Sequence, residues 1–360
     1  MVKLFPAGLG GGRFGGVALA VATTASAVGL AACGGSTTKA ASAASTATPV
    51  PLVVYSAQGY DSAETKAFQA ATGIPVKLDD NSTGPLLTQI EASKNNPNWG
   101  LLWVDGATAF ASLDQQGLLL KGWEPSVSWN DLGTQSVPKD QSYVPTGVTL
   151  MAAMAYDASK LANPPTAWSQ LTQPQWKGAV GMNDPSQSGP TYPFIAGMMN
   201  SLGGVSQGEA YFTALKANGL VVHATNGPTL QALTSGEIKL ALVQSSAGIG
   251  AESTDSSLKV AYLNPVTLLP SAIGIDSKAS PQVQAEAKRF VEFVMSAAGQ
   301  HVMQTGDPTG DSLYYPVLSG VSPLSALPSL AGVKTQTINP YTWGAREAQV
   351  NSWFDSNIVQ

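Results

Sequence analysis

The stretch VVYSAQGYDSAETKAFQAATGIPVKL, residues 53–78, carries a strand, a helix and a second strand in one unbroken run. Leu52–Tyr55 is β-branched and aromatic, the composition of a strand. Asp61 stands three residues before Glu64, a capping-box spacing. Ala67, Phe68 and Ala71 then lay one apolar helical face until Gly73 stops the helix. Val76–Leu78 reads as the next strand. Strand, crossover helix and strand of these lengths form a βαβ unit on a parallel sheet.

The same alternation continues outward. Pro85 sits in the first turn of a helix carrying Leu86, Leu87 and Ile90. Leu101–Val104 is a strand, and the Ala-rich segment 107–116 is a helix ended by Gly117. After about Val144 the pattern restarts. Val148–Tyr156 reads as one long strand, with further strands at 179–182, 221–222, 240–243 and 260–263. Helices fall at 194–202, 209–218 and 230–234. A third section starts at Ala272–Ile275, with an amphipathic segment, Ala285–Met295, and a closing helix, Arg346–Phe354. No repeat of solenoid period is present.

The chain has 360 residues, room for two compact domains, and its 44% hydrophobic content excludes both a disordered chain and a polytopic membrane protein. Lys3 and Arg13 precede the uncharged run Val17–Ala32, as in a secretory signal. The run ends in Leu30-Ala31-Ala32-Cys33, which resembles the bacterial lipobox. Residues 1–32 are thus expected to be removed and Cys33, the single cysteine, to be lipidated. A cut elsewhere, with Cys33 incidental, is the alternative. Cleavage before Cys33 takes Lys3 and Arg13 with no acid, so the formal charge moves from −5 to −7. Such an acidic product suits neither nucleic acid nor anionic membrane surfaces. Residues 33–49 contain no core former and read as a flexible tether to the membrane.

Several segments together resemble bacterial extracellular solute-binding proteins of the periplasmic-binding-protein-like class II group. They are the opening stretch, WVDGATAFASLDQQGLL (103–119), AMAYDASKL (153–161), NDPSQSGPT (183–191), NGPTLQALTSGEIKLALVQSSAGIG (226–250) and YYPV (314–317). The resemblance implies an α/β fold of two lobes with ligand trapped between them. Lobe one would comprise residues 50–146 plus 268–360, and lobe two residues 147–264, with the helix near Trp353 packing back on lobe one. It also implies a monomeric lipoprotein outside the cytoplasmic membrane that delivers a small-molecule solute to an ABC permease. A receptor without transport function fits the same fold.

In open α/β sheets ligands sit beyond the carboxyl ends of the strands, where loops enter helix N-termini. Five such loops here are small and hydroxyl-rich: 56–60, 81–84, 186–191, 226–229 and 244–246. The expected ligand-binding residues are Ser56, Tyr60, Ser82, Thr83, Asp105, Ser188, Thr191, Ser245 and Ser246. Helix caps and turns require the same residue types, so each loop alone has two readings. None of the five holds Lys or Arg. Main-chain N–H groups and hydroxyls would hold an anion, and Asp80, Asp105 or Asp184 an ammonium, a mixture that suits an aminoalkylphosphonate.

In the iron binders of this group, the segment matching Gln244-Ser245-Ser246 carries adjacent tyrosines that ligate the metal. Serine hydroxyls do not ionise, so a ferric site is the alternative and a site without metal or cofactor the expectation. Tyr314 and Tyr315 are expected to pack, and His223 and His301 to be ordinary hydrogen-bonded residues. Gly204–Gly208 matches the G-x-S-x-G elbow of serine hydrolases, but the residues before it read as helix rather than strand. Ser206 is therefore expected to cap the next helix, and no enzyme activity is expected.

Overall fold

The computed structural model describes residues 50–360; the expected signal peptide (1–32), Cys33 and the expected tether (33–49) lie outside them. The opening unit forms β1 (Leu52–Ser56), α1 (Asp61–Thr72) and β2 (Val76–Asp80). Gly73 ends α1 at φ 71°, where a Cβ would be strained. The Asp61–Glu64 pair does not cap, however. Tyr60 holds the N-cap position, and both acids are buried in the first turn. Then follow α2 (Thr83–Ser93), β3 (Leu101–Asp105), α3 (Ala107–Gln115) and α4 (Asp131–Ser136).

Val148–Tyr156 is not one strand. It divides at Ala152 into β4 (Val144–Met151) and β5 (Ala153–Asp157), and the two halves enter different sheets. Uniform burial hides the change, because both halves read as apolar runs. The crossing falls at Ala152, inside the segment expected to belong wholly to lobe two. The second sheet's sequence continues through β6 (Val180–Asn183), α5 (Thr191–Leu202), α6 (Val205–Ala217), β7 (Val221–His223), α7 (Asn226–Ser235), β8 (Leu240–Val243), α8 (Ser245–Thr254) and β9 (Leu258–Ala261). The chain returns along β10 (Val266–Ile275) and closes with α9 (Pro281–Val294), α10 (Ala297–Thr305), β11 (Thr335–Gln336), α11 (Pro340–Gly344) and α12 (Glu347–Phe354).

The first sheet runs β11-β10-β3-β1-β2, with β4 also paired to β10; the second runs β7-β6-β8-β5-β9. In each, three neighbouring strands are parallel: β2, β1 and β3 in one, β7, β6 and β8 in the other. The crossover strands β10 and β5 join them antiparallel. Parallel strands release their carboxyl-end loops on one edge, and that places all the candidate loops.

Trp103, Phe68 and Phe290 meet edge-to-face or nearly so beside the first sheet, at centroid distances of 5.1 and 5.9 Å. Phe194 and Phe212 do the same beside the second at 6.0 Å. Fully burying one such ring contributes about 1.5–3 kcal/mol. The closing helix does not pack on the first lobe. α11 lies on α3, but α12 then crosses over, and Phe354 meets Phe212 of α6 edge-to-face at 5.4 Å. Lys216 of α6 donates to the carbonyls of Ile358 and Gln360 at 2.5 and 3.2 Å. The reason is apolar surface: Val350, Phe354 and Ile358 complete the core around Phe194, Phe212 and Leu215.

Candidate functional site

Loops from both sheets converge on a cavity of about 140 Å³. The first sheet supplies Ala57 after β1, Ser82 and Thr83 after β2, and Asp105 at the end of β3. The second supplies Ser188 after β6, Asn226 after β7 and Gln244 after β8. Asp311 comes from the loop after α10. A wider mouth adjoins it, bordered by Gly59, Asp80 and Asn81 on one side and by Thr225 and Gly227 on the other.

Asp105 ties the two sides together. Its Oδ1 accepts from Gln58 Nε2 at 3.2 Å and from the Ser271 hydroxyl; its Oδ2 accepts from Gln244 Nε2 at 2.9 Å. Gln244 also donates to Thr149 Oγ1 at 3.0 Å. Burial pushes the Asp105 carboxyl up, and the three side-chain donors pull it back. Asp311 accepts from the backbone N–H of Gly59 at 2.8 Å and from the Ser246 hydroxyl at 3.3 Å. Burial first, then the negative charge of Asp105, raises its carboxyl to about 7.

On the other side an amide network holds the loops. Asn183 donates to Asn226 Oδ1 at 2.7 Å and to Ser188 Oγ at 3.3 Å, and accepts from Thr229 Oγ1 at 2.6 Å. The walls touch as well. A Cβ on Gly84 would lie 1.9 Å from the Ser186 carbonyl oxygen, and one on Gly189 would lie 2.5 Å from Thr83 Oγ1. Only glycine permits that approach.

Of the residues singled out in the sequence, Ser82, Thr83, Asp105 and Ser188 line the cavity. Ser56, Tyr60, Thr191, Ser245 and Ser246 are not among its lining residues. Ser56 accepts from the Gln58 N–H, and Tyr60 donates to Gln58 Oε1 at 2.7 Å, so both orient that glutamine. Ser245 accepts from the Leu150 N–H at 3.0 Å, fastening the start of α8 to the crossover strand. Thr191 is buried with its hydroxyl unpartnered. Asp311, and the tie of Gln244 to Asp105 across the cavity, do not follow from the sequence pattern. Asp311 sits in Gly306-Asp-Pro-Thr-Gly-Asp-Ser312, whose only local signal is turn composition.

Tyr314 and Tyr315 are core residues, donating to Gln300 Oε1 and to the Pro328 carbonyl. His223 lies 3.9 Å from Glu237, and His301 is exposed. No cluster of three or more His, Cys, Asp or Glu side chains able to hold a metal occurs among the described residues. Ser206 lies inside the first turn of α6, with Gly204 at the N-cap, so it is not the cap expected. The preceding element is helix α5, not the strand that a nucleophile elbow needs.

Residues 64–331 match the profile of a family described as bacterial extracellular solute-binding protein. The chain belongs to this family. Among curated relatives, this solute-binding protein is 27% identical over 279 residues to the major ferric iron-binding protein of Neisseria meningitidis, covering 73% of this chain and 82% of that one. It is 22% identical over 240 residues to a putative 2-aminoethylphosphonate-binding periplasmic protein of Salmonella paratyphi A, covering 65% and 68%. Among solved structures, iron-bound HitA from Pseudomonas aeruginosa superposes with a TM-score of 0.71 at 21% identity, covering 84% of this chain and 99% of that one. That likeness confirms the two-lobe α/β fold. No helix among the described residues is long and apolar enough to cross a membrane.

Proposed function

We propose that this protein is the solute-capturing subunit of an ABC importer, holding a small polar organic solute between its lobes without a metal ion. The lobes are the halves carrying the two sheets, and closure around the solute would present the surface a permease reads. The observation that carries this reading is the cavity itself. Six strand-end loops bring hydroxyls, amides and carboxylates to one point, with no Tyr, His or Cys among the lining residues. Phosphonates and phosphate esters are the solute classes favoured, since hydroxyls and the N-termini of α2 and α7 receive oxyanions. Lipidation of Cys33 would hold a monomer at the outer face of the cytoplasmic membrane, and Cys33→Ala should release it into the soluble fraction.

A ferric reading has one observation in its favour, the match to iron-binding relatives over most of the chain. Thermal-shift screening of phosphonates, phosphate esters, polyamines, thiamine and ferric salts separates the two, because a bound ligand raises the melting temperature by mass action. Stabilisation by an organic solute in the presence of chelator is the expected result. A response to ferric salt alone, lost on chelation, would sink the metal-free reading. Turnover of the bound solute would sink the assignment as a binding protein.

A further inference from the structure

Asp105 and Asp311 face a cavity that offers them no cation. None of the residues lining it or its mouth is Lys, Arg or His, and neither acid belongs to an ion pair among the described residues. Asp311 uses two of its acceptor sites, on Gly59 and Ser246, and keeps lone pairs for another donor. A buried carboxylate without a counter-charge is costly, so the missing partner is expected to arrive with the ligand.

Two hydroxyls in the same cavity ask for the opposite kind of group. Thr83 is 4% exposed, lines the cavity, and has no hydrogen-bond partner for its hydroxyl among the described residues. Ser188 is 6% exposed; it accepts from Asn183, and its own O–H has no acceptor. Both are donors waiting for an oxygen.

We infer that the captured solute is a small zwitterion, its protonated amine received by Asp311 and Asp105 and its oxyanion by the Thr83 and Ser188 hydroxyls. The inference rests on the solute-capture reading above and narrows it. An organic ammonium needs only these two carboxylates, whereas no group of three or more His, Cys, Asp or Glu side chains able to hold a metal ion occurs among the described residues. The cavity, about 140 Å³ and continuous with a wider mouth, has room for a small solute.

The groups facing Asp311 are the Asp105 and Asp307 carboxylates, the Tyr60 phenol, the Ser246 hydroxyl and the Gly59 N–H. Two of these are negative and none is positive. With its carboxyl raised to about 7, Asp311 is partly protonated near neutrality, and an arriving ammonium displaces that proton.

The test is calorimetry on the intact protein with three zwitterions and their amine-free counterparts: 2-aminoethylphosphonate against ethylphosphonate, β-alanine against propionate, and phosphoethanolamine against ethyl phosphate. At least one zwitterion should bind at least tenfold tighter than its counterpart at pH 7.5. Repeating the titration at pH 6.5 in buffers of different ionisation enthalpy should show proton release. Asp311→Asn should melt no lower than the parent and shrink the preference to below threefold. Equal binding of the amine-free counterparts overturns the amine subsite and leaves solute capture standing. Binding of ferric citrate alone overturns both, and silence across the panel overturns the zwitterion. Should the variant fail to fold, the pairwise preference and the proton release of the parent protein decide alone.

Discussion

On the first sheet's side, the cleft is walled by the carboxylates of Asp80, Asp105 and Asp311, with Asp61 and Glu64 buried behind them. On the second sheet's side, it is walled by the amides and hydroxyls of Ser188, Asn226 and Gln244, with Asn183 and Thr229 behind. The neutral side is held largely from within, since Asn183 alone engages three neighbours, and the Ser188 and Thr191 hydroxyls keep no acceptor there. The acidic side is not. Both oxygens of Glu64 and one of Asp61 are buried without a partner. Burial raises Glu64 to about 9 and Asp61 to about 6. The groups left unpaired on one wall are neutral hydroxyls, indifferent to pH, while the other wall carries a charge cost that pH, and for Asp311 a ligand, can relieve.

The largest effect should come from Glu64. Its folded pKa lies above its ordinary value, so the stability it contributes is complete below about pH 4.5 and is lost as pH climbs through about 9. At pH 7 the loss amounts to about 3 kcal/mol at ~1.4 kcal/mol per unit. Glu64→Gln should recover that amount, and urea unfolding across pH 5–9 should show a flatter profile than the parent. An unchanged midpoint at pH 7 would mean the carboxylate is not desolvated.

Next in size is the opposite wall. Asn183→Ala removes the hub of the amide network and three of its hydrogen bonds, leaving the fully buried Thr229 hydroxyl only the Thr225 carbonyl. A loss of about 2–3 kcal/mol in urea unfolding is expected at every pH, because no charge is involved. A pH-dependent loss would show that the two walls are coupled.

Gly84→Ala tests how tightly the walls meet. Its Cβ would overlap the Ser186 carbonyl, so the lobes must part to admit it. Affinity for whichever solute the screen identifies should fall about tenfold, or ~1.4 kcal/mol, with little change in melting temperature of the empty protein. Unaltered affinity would mean that this contact is not part of the ligand-bound state.

Ser246→Ala should do least. It removes one long hydrogen bond to Asp311, worth about 0.5–1.5 kcal/mol, and a change of a few-fold in affinity is expected. A loss as large as that of Asp311→Asn would make Ser246 a direct ligand contact instead.

What could be read along the chain was everything governed by neighbours in sequence. β-branched runs, the 3.6-residue face of α1 and the glycine stop at Gly73 are local properties, and they located most of the strands and eight of the twelve described α-helices, missing α4, α8, α10 and α11. The βαβ order in turn marked the loops at strand carboxyl ends, and all five loops named for that reason reach the cavity or its mouth. Within a loop the choice of side chain was not legible. A serine that caps, one that braces a glutamine and one that faces solvent have the same local sequence.

Tertiary structure decided the rest, because the deciding contacts join residues far apart in the chain. β4 and β5 separate only because β10 claims one and β8 the other. The closing helix leaves the first lobe because Phe212 and Leu215 offer it apolar surface there. Asp311 becomes part of the site only when the turn after α10 meets Gly59 and Ser246, which bring its carboxylate beside Asp105. Periodicity reports the burial of a face but carries no information about which distant charge will share it, and that pairing sets the chemistry of this cleft.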